Sequence, residues 1–239
     1  MVLLLIFVKS PFGKGLIGES LVNLAIAIKL DKNKYHLFKN VTIFTNNGTT
    51  QIDHVIVSKY GIFVIETKNM KGWIFGDKNK KIWTQKIYKH TNKFQNPLQQ
   101  NYKHVKTLES LLNINQNKIF SIVTFVGDST FKTEMPENVT YRGGFINFIS
   151  SKKIQLLSEQ EVNKINALIS EKRLSQTVRT HVNHVQHVKD VVREKEKKNL
   201  CPRCGSLLVK RISKRGANTG SKFYGCSSYP KCRYTAQII

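Results

Sequence analysis

The chain has 239 residues, and its 39 lysine and arginine residues against 15 aspartate and glutamate residues give it a formal net charge of +24. Hydrophobic residues make up 40% of the chain, which is enough for a packed interior and excludes a wholly disordered protein. The excess of positive charge indicates a polyanionic partner, with nucleic acid favoured over an anionic membrane surface.

The N-terminal residues 1–8 form an apolar run that is followed by Lys9, Ser10 and Pro11. The run is much shorter than the roughly 20 apolar residues that cross a bilayer, and it lacks the basic region and cleavage site of a signal peptide. Two interpretations stay open, a buried first strand or the end of a membrane anchor that begins outside this chain. The second would bring the protein to the inner face of the cell membrane.

The rest of the chain alternates between helix and strand signals. Pro97 stands at a favourable first-turn position of a helix, and Ser158 with Glu161 forms a capping box. Residues 175–198 have a thin apolar pattern that predicts a linker helix. The other predicted elements are a helix from Gly18 to Ile28, a strand over 35–44, a hairpin over 51–68, a short hairpin over 72–83, a helix over 96–112, a strand over 119–126 and a helix over 158–172.

The hairpin over 51–68 contains two acids and a lysine. Glu66 and Lys68 point to the same face, because side chains alternate along a strand. If the loop contains an even number of residues, Asp53 lies opposite Glu66, with Cβ atoms about 4.5–5.5 Å apart. An odd number would move Asp53 to the other face. Two carboxylates this close need a cation, and Mg²⁺ (or Mn²⁺) suits them because it takes carboxylate oxygens and leaves room for a phosphate.

This constellation indicates a site for phosphodiester hydrolysis, in which Lys68 stabilises charge on the phosphate and Glu19 is a third acid. An ordinary Glu–Lys pair beside a turn-flanking Asp would have the same spacing. Nearby residues have simpler expected roles. His54 and His104 are expected to be structural, and Trp73 and Trp83 to lie in the core. Lys78, Lys80 and Lys81 are expected to form a solvated turn that could also contact phosphate.

Several motifs in order along residues 18–125 together resemble the nuclease-related domain (NERD), a branch of the PD-(D/E)xK superfamily. The resemblance implies an α/β fold, with a restriction-endonuclease-like core of a mixed central sheet and flanking helices. It implies Asp53, Glu66 and Lys68 as the catalytic trio, and Glu19 and Gln100 as supporting site residues. The matching motifs are Gly18-Glu19, Gln51-Ile52-Asp53-His54, residues 61–69, Gly72, Trp83, residues 96–100 and His104.

All four cysteines lie in the last 40 residues, as Cys201-Pro-Arg-Cys204 and Cys226 with Cys232. Paired cysteines in a short segment of low apolar content predict a structural Zn²⁺ site in a reducing, cytoplasmic setting rather than two disulfides. Basic and aromatic residues alternate around them, a composition typical of single-stranded DNA binding, although the aromatics could instead form a small core. The segment resembles the C-terminal zinc finger of bacterial type IA topoisomerases, which implies DNA binding without topoisomerase activity.

These patterns predict four segments: an apolar N-terminus (1–15), a nuclease-like domain (16–150), a helical region with a linker (151–198) and a zinc ribbon (199–239). The leading prediction is a metal-dependent nuclease that hydrolyses DNA phosphodiester bonds while the zinc finger binds DNA. Two alternatives stay open, a non-catalytic DNA-binding protein on a nuclease-like fold and a membrane-tethered adaptor. A row of three linker histidines, His181, His184 and His187, is expected to be incidental.

Overall fold

A computed structural model describes residues 10–45, 48–174, 186, 200–201, 203–213 and 219–237. The chain divides into two compact units, Met1–Thr180 and His181–Ile239. The apolar run at 1–8, nearly all of the predicted linker helix and the three linker histidines lie outside the described residues.

The first unit combines helices with two sheets, as the α/β prediction requires. Its elements are, in chain order, α1 (Pro11–Lys29), β1 (His36–Thr45), β2 (Gly48–Ser58), β3 (Gly61–Lys68), β4 (Gly72–Phe75), β5 (Ile82–Ile87), β6 (His90–Gln95), α2 (Pro97–Leu112), β7 (Ile119–Phe125), β8 (Ser129–Phe131), β9 (Val139–Tyr141), α3 (Gly144–Ser151) and α4 (Glu159–Lys172).

The central sheet has five strands in the order β1-β2-β3-β7-β9. The pairs β1–β2 and β2–β3 are antiparallel, whereas β3–β7 and β7–β9 are parallel, so the sheet is mixed as expected. Ser58 pairs with Gly61 across the turn, which leaves Lys59 and Tyr60 as a two-residue loop. The loop therefore has the even count on which the predicted register of Asp53 and Glu66 depends.

Helices cover both faces of the central sheet, and β3 is accordingly buried from Gly61 to Glu66. On one face, Val64 packs in a core with Leu108 of α2 and Ile165 of α4. On the other face, Ile65 packs with residues of α1 and α3. Successive residues of β3 thus alternate between the two cores, and Glu66 points to the α2 side.

A buried amide joins α2 to the parallel strand pair β3–β7. The Asn101 side-chain nitrogen lies 2.8 Å from the Val64 carbonyl of β3. It also lies 2.9 Å from the Ser121 hydroxyl and 3.0 Å from the Ile122 carbonyl, both in β7. This contact fixes the position of α2 along the two strands.

The boundaries of α2 and α4 agree with the predictions, whereas α1 begins earlier than predicted and α3 was not predicted. The Asn96 side chain caps α2, and both hydrogen bonds of the capping box are present at Ser158 and Glu161. Helix α1 starts at Pro11, seven residues before the predicted start, because the Ser10 side chain caps it by accepting from the Gly13 N–H. Within the described residues, no helix combines the length and apolar character needed to cross a bilayer.

A second sheet, in the order β6-β5-β4-β8, extends from the carboxyl ends of β3 and β7. The connections β3–β4 and β7–β8 are each three residues long. The predicted hairpin over 72–83 is confirmed as β4–β5, and β6 and β8 extend it. Trp83 is buried, as predicted, and it stacks on Phe125, but the prediction that Trp73 lies in the core is wrong. Ile74 takes the inward position on β4, so Trp73 faces outward.

The second unit contains the strands β10 (Leu208–Ile212), β11 (Lys222–Cys226) and β12 (Thr235–Gln237), which form an antiparallel sheet. Three cysteines, Cys201, Cys226 and Cys232, form its buried centre together with the partly buried Leu208 and Tyr234. An apolar centre of this size needs a further stabilising element, because a core of so few residues contributes little free energy.

Candidate active site and metal centre

Asp53 lies beside the end of β3 that carries Glu66 and Lys68. The β2–β3 ladder pairs His54 with Ile65, and just beyond it the Thr67 backbone N–H donates a 2.8 Å hydrogen bond to Asp53 Oδ2. One oxygen of Asp53 is therefore held by the backbone of β3. The two-residue loop brings Asp53 next to Glu66, as the sequence predicted for an even loop.

Lys68 joins the acid of β3 to helix α2. Its Nζ atom donates hydrogen bonds to Glu66 Oε1 at 2.6 Å and to Gln100 Oε1 at 3.0 Å. Glu66 is only 3% exposed, so this ion pair lies in a region of low dielectric. Gln100, predicted as a supporting residue, thus orients the lysine.

His104 belongs to this cluster, although the sequence indicated a packing role. Its Nε2 atom lies 3.4 Å from Glu66 Oε2, and its Nδ1 atom lies 3.0 Å from the Thr50 hydroxyl. Glu66 is therefore held between Lys68 on one side and His104 on the other. The available signal was the i,i+4 spacing of Gln100 and His104, which puts both on one face of α2.

Glu19 reaches the same cluster from helix α1. Gly18 allows the helix to pack closely on the end of β3, since a Cβ at Gly18 would lie 2.9 Å from the Cβ of Asn69. The Asn69 side chain also donates a 2.8 Å hydrogen bond to the Lys14 carbonyl of α1. These contacts place Glu19 close enough to Asp53 and Glu66 for their charges to interact.

Burial, repulsion between carboxylates, and the contacts of Glu66 with Lys68 and His104 shift the pKa values of the three acids apart. Burial, followed by the charges of Glu66 and Glu19, raises the pKa of Asp53 well above its usual range. Burial and the charge of Glu66 also raise the pKa of Glu19. Burial alone would raise the pKa of Glu66, but Lys68 and His104 outweigh it and lower that pKa. The cluster therefore holds more carboxylates than Lys68 can neutralise.

A divalent cation suits this excess of negative charge. Carboxylate oxygens are the ligands that Mg²⁺ and Mn²⁺ prefer, and Asp53 and Glu66 supply them at the end of a buried strand pair. His54 adds no positive charge near neutral pH, because burial lowers its pKa to about 4 against an opposing effect of the Glu19 backbone. It lies on the opposite face of β2 from Asp53 and has the structural position expected of it.

The four cysteines converge in the second unit. Their Sγ atoms all lie within 4.8 Å of one another, with 3.7 Å between Cys201 and Cys232 and 3.3 Å between Cys204 and Cys226. Four thiolates around Zn²⁺ with Zn–S bonds of about 2.3 Å lie roughly 3.8 Å apart in a tetrahedron. All four are free thiols. The geometry therefore fits a structural Zn²⁺ ion and not disulfides.

The thiols differ in how readily they lose a proton. Hydrogen bonds from the backbone and side chain of Ser206 lower the pKa of Cys204 to about 6. Burial raises the pKa of Cys226 to about 12. A bound Zn²⁺ ion deprotonates such a buried thiol, so the four cysteines need the metal in order to lie together as thiolates.

Aromatic residues around the zinc site divide between core and surface. Tyr234 packs against the cysteines, whereas Tyr229 is 59% exposed. The Arg211 guanidinium lies 5.7 Å from the Tyr229 ring, and Lys210 Nζ lies 5.8 Å from the Tyr224 ring. The sequence left open whether these aromatics form a small core or a DNA-binding surface. Tyr234 lies in the core, whereas Tyr229 is available to solvent.

Two known families match separate parts of the chain. Residues 14–126 match the family described as "Nuclease-related domain", and residues 198–238 match "Topoisomerase DNA binding C4 zinc finger". The chain therefore joins a nuclease-related domain, with a mixed α/β fold, to a C4 zinc ribbon of the topoisomerase type. The first match contains Asp53, Glu66, Lys68 and Gln100, and the second contains all four cysteines.

Individual relatives match shorter stretches. An uncharacterized protein of Bacillus anthracis is 48% identical over 103 residues, which cover 43% of this chain and 48% of that protein. DNA topoisomerase 1 of Methanocaldococcus jannaschii is 47% identical over 47 residues, covering 20% of this chain and 6% of the enzyme. DNA topoisomerase 1 of Mycoplasma genitalium is 34% identical over 111 residues, covering 43% of this chain and 15% of that enzyme. The chain thus spans about half of the first relative and small parts of the topoisomerases. No solved structure matches.

Proposed function

We propose that this protein is a Mg²⁺-dependent nuclease that hydrolyses DNA phosphodiester bonds at Asp53, Glu66 and Lys68. The observation that supports this most strongly is that three acids from α1, β2 and β3 lie close enough for their charges to interact around the partly buried Lys68. A protein that only binds DNA gains nothing from clustered carboxylates near a polyanion. Carboxylates with strongly shifted pKa values are concentrated at functional sites.

Asp53 and Glu66 would hold the metal in this proposal. When bound, Mg²⁺ lowers the pKa of a coordinated water and stabilises negative charge on the phosphate. The side chains of the cluster orient one another: the Thr67 N–H fixes one oxygen of Asp53, and His104 lies against Glu66. Because these contacts exist within the protein itself, the acids need little rearrangement before hydrolysis.

Lys68 is the residue that faces developing charge on the phosphate. Its ammonium group is held by Gln100 as well as by Glu66, so it keeps its place when Glu66 turns towards a metal. Glu19 adds a further acceptor on the α1 side, suited to orienting a water. The zinc ribbon would hold DNA through Arg211, Lys210 and the exposed Tyr229, with cations for phosphates and an aromatic face for bases.

The test is cleavage of plasmid and single-stranded DNA by the full chain with Mg²⁺ or Mn²⁺. Asp53→Asn, Glu66→Gln and Lys68→Met are each expected to lower the cleavage rate by about 100-fold or more. DNA affinity, measured without divalent metal, should be retained. A matched control is available on α2, where Lys106 and Glu109 form an exposed pair at the same 2.6 Å distance. Lys106→Met and Glu109→Gln should leave cleavage unchanged.

A second function, DNA binding without cleavage, is favoured by the +24 charge and the zinc ribbon. It predicts tight binding that weakens steeply with salt, because each phosphate contact releases counterions. Wild-type protein that binds in this way but leaves all substrates intact with either metal would refute the nuclease and support this alternative.

A further inference from the structure

The second sheet presents an outward face that combines exposed aromatic rings with lysines. Trp73 is 47% exposed and Phe75 is 37% exposed, while Ile74 between them is fully buried. Lys86 pairs directly with Trp73 across β4–β5, so the two side chains share a face. Lys132 follows β8 and lies over the same indole. We call this surface, formed by Trp73, Phe75, Lys86, Lys93 and Lys132, the Trp73 face.

Two ammonium groups flank the exposed indole. Lys132 Nζ lies 4.7 Å from the ring centroid of Trp73, and Lys86 Nζ lies 5.9 Å from it. A second row runs across the sheet, in which Phe75 pairs with Thr84 and Thr84 pairs with Lys93. Rings and cations therefore alternate on one face instead of forming separate apolar and charged patches.

The segment that builds most of this sheet is strongly basic. Residues 71–95 contain seven lysines and a single acid, Asp77. The Asp77 carboxylate lies 3.8 Å from Lys80, which leaves the other lysines free of acidic partners within this segment. A protein partner would need a strongly acidic surface to match such a face, whereas a nucleic acid carries a phosphate at each nucleotide.

We propose that the Trp73 face binds a single-stranded segment of DNA, with a base stacked on Trp73 and the backbone phosphates on Lys86, Lys132 and Lys93. Sheet surfaces with exposed aromatics flanked by cations bind unpaired bases, because every base has a ring face free for stacking. In duplex DNA the bases are already stacked on their neighbours. An exposed indole on a flat sheet therefore distinguishes single strands from duplexes.

The Trp73 face lies near the carboxylate cluster along the chain. Trp73 follows Lys68 by five residues, so their Cα atoms are at most about 18 Å apart, since an extended chain spans no more than about 3.6 Å per residue. A strand bound on the Trp73 face can thus extend to the cluster. This inference rests on the proposed nuclease function and specifies its substrate class. The substrate would be DNA with a single-stranded segment close to the cleaved bond.

Tryptophan fluorescence tests the proposal directly. The chain has two tryptophans, of which Trp83 is 1% exposed, and the zinc ribbon has none. Titrating the full chain carrying Glu66→Gln with a short oligothymidylate should quench the fluorescence of Trp73. Adding Trp73→Phe should abolish the quenching. Trp73→Ala should lower affinity by about 5- to 150-fold, as expected for the loss of one stacked base.

Controls separate stacking from general charge. Lys86→Ala with Lys132→Ala should weaken binding and reduce its salt dependence, whereas Lys164→Ala, an exposed lysine on α4, should change neither. Unchanged fluorescence at saturating oligothymidylate would overturn the proposal, because bound DNA would then lie away from Trp73. Equal quenching by a duplex of the same length would overturn the preference for single strands.

Failure of this inference is distinguishable from failure of the nuclease. Cleavage by wild type that is unchanged in Trp73→Ala at limiting single-stranded substrate would refute the Trp73 face and leave the active site standing. Quenching by oligothymidylate without cleavage of any DNA would establish the surface and refute the nuclease.

Discussion

Asp53 sits where repulsion from two other acids and partial burial both oppose its charge. Its folded-state pKa lies above the unfolded value of about 3.9, so the folded protein holds a proton that the unfolded chain would release. Without metal, the free energy of unfolding therefore decreases as pH rises from about 4 through the raised pKa. The carboxylate that we propose as a metal ligand thus lowers the stability of the metal-free fold.

The variant Asp53→Asn should consequently be more stable than wild type at neutral pH without divalent metal. Its amide oxygen can still accept from the Thr67 N–H, while the charge is removed. We expect the free energy of unfolding to increase by about 1 kcal/mol, which corresponds to roughly 2–4 °C in melting temperature. Thermal unfolding monitored by tryptophan fluorescence measures this increase. The gain should disappear as pH is lowered towards 4. Added Mg²⁺ should stabilise wild type and leave the variant unchanged.

Asp31→Asn is the matched control, because Asp31 is an exposed acid paired with Lys34 at 3.7 Å. It should show no comparable gain. A variant at Asp53 that is less stable than wild type at every pH would contradict the repulsion that we assign to the cluster.

The sequence predicted the position of a side chain correctly where that position depends on local backbone geometry. The approach of Asp53 to Glu66 follows from strand alternation, which the sequence shows, and from a two-residue loop, whose even count only the structure supplies. The place of His104 was not readable, because it depends on how α2 packs across β2 and β3. The two tryptophans differ for a similar reason: Trp83 and Trp73 both lie on short strands, and only the stacking of the second sheet on Phe125 decides which one faces inward.

Among the elements, α1 depends on close packing at Gly18. The sequence signal for this helix was an apolar period that begins at Gly18, whereas the helix begins at Pro11. Three glycines in its first half weaken the helical period, although the Ser10-Pro11 pair is a good start signal. The strands β6, β8 and β9 were not predicted, since β6 is largely polar and the other two are three residues long. Pairing with neighbours forms these strands.

Substitutions at two glycines of α1 should have opposite effects. Gly18→Ala places a methyl group 2.9 Å from the Asn69 Cβ, so α1 or the end of β3 must shift. We expect a loss of about 1–3 kcal/mol in the free energy of unfolding, together with slower cleavage as Glu19 moves. Gly15→Ala meets nothing within 4 Å and should stabilise the helix by about 0.5–1 kcal/mol. Urea unfolding followed by tryptophan fluorescence measures both.

The comparison is internal, because both substitutions make the same chemical change in the same helix. Equal effects at Gly15 and Gly18 would mean that α1 does not rest on β3 as closely as the structure places it. Gly18→Ala is expected both to lower stability and to slow cleavage. Glu19→Gln separates these two effects, because it removes the acid without moving the helix.

At the scale of the whole molecule, the two units have different sources of stability. The first unit has one hydrophobic core on each face of its five-stranded sheet, whereas the second has three buried cysteines and few apolar partners. Structural zinc contributes on the order of 10 kcal/mol in small zinc-binding peptides. The second unit should therefore require the metal, and the first should not.

Removing zinc with a selective chelator should unfold the second unit while the first keeps its melting temperature. Both tryptophans lie in the first unit, so their fluorescence reports on it alone. We expect about one zinc ion per chain by atomic absorption, lost in Cys204→Ser and retained in Ser227→Ala. DNA affinity should fall when zinc is removed. A matching drop in the tryptophan transition would show instead that the first unit needs the zinc ribbon.

Asn101 restricts how far the carboxylate cluster can rearrange. On α2 it stands next to Gln100 and one turn before His104, and its amide joins the helix to β3 and β7 at once. The two α2 side chains that contact Lys68 and Glu66 therefore cannot slide along the strands without breaking that join. In the proposed function, metal and DNA would meet a site whose spacing is set during folding, so hydrogen exchange at the centre of α2 should be equally slow with and without them.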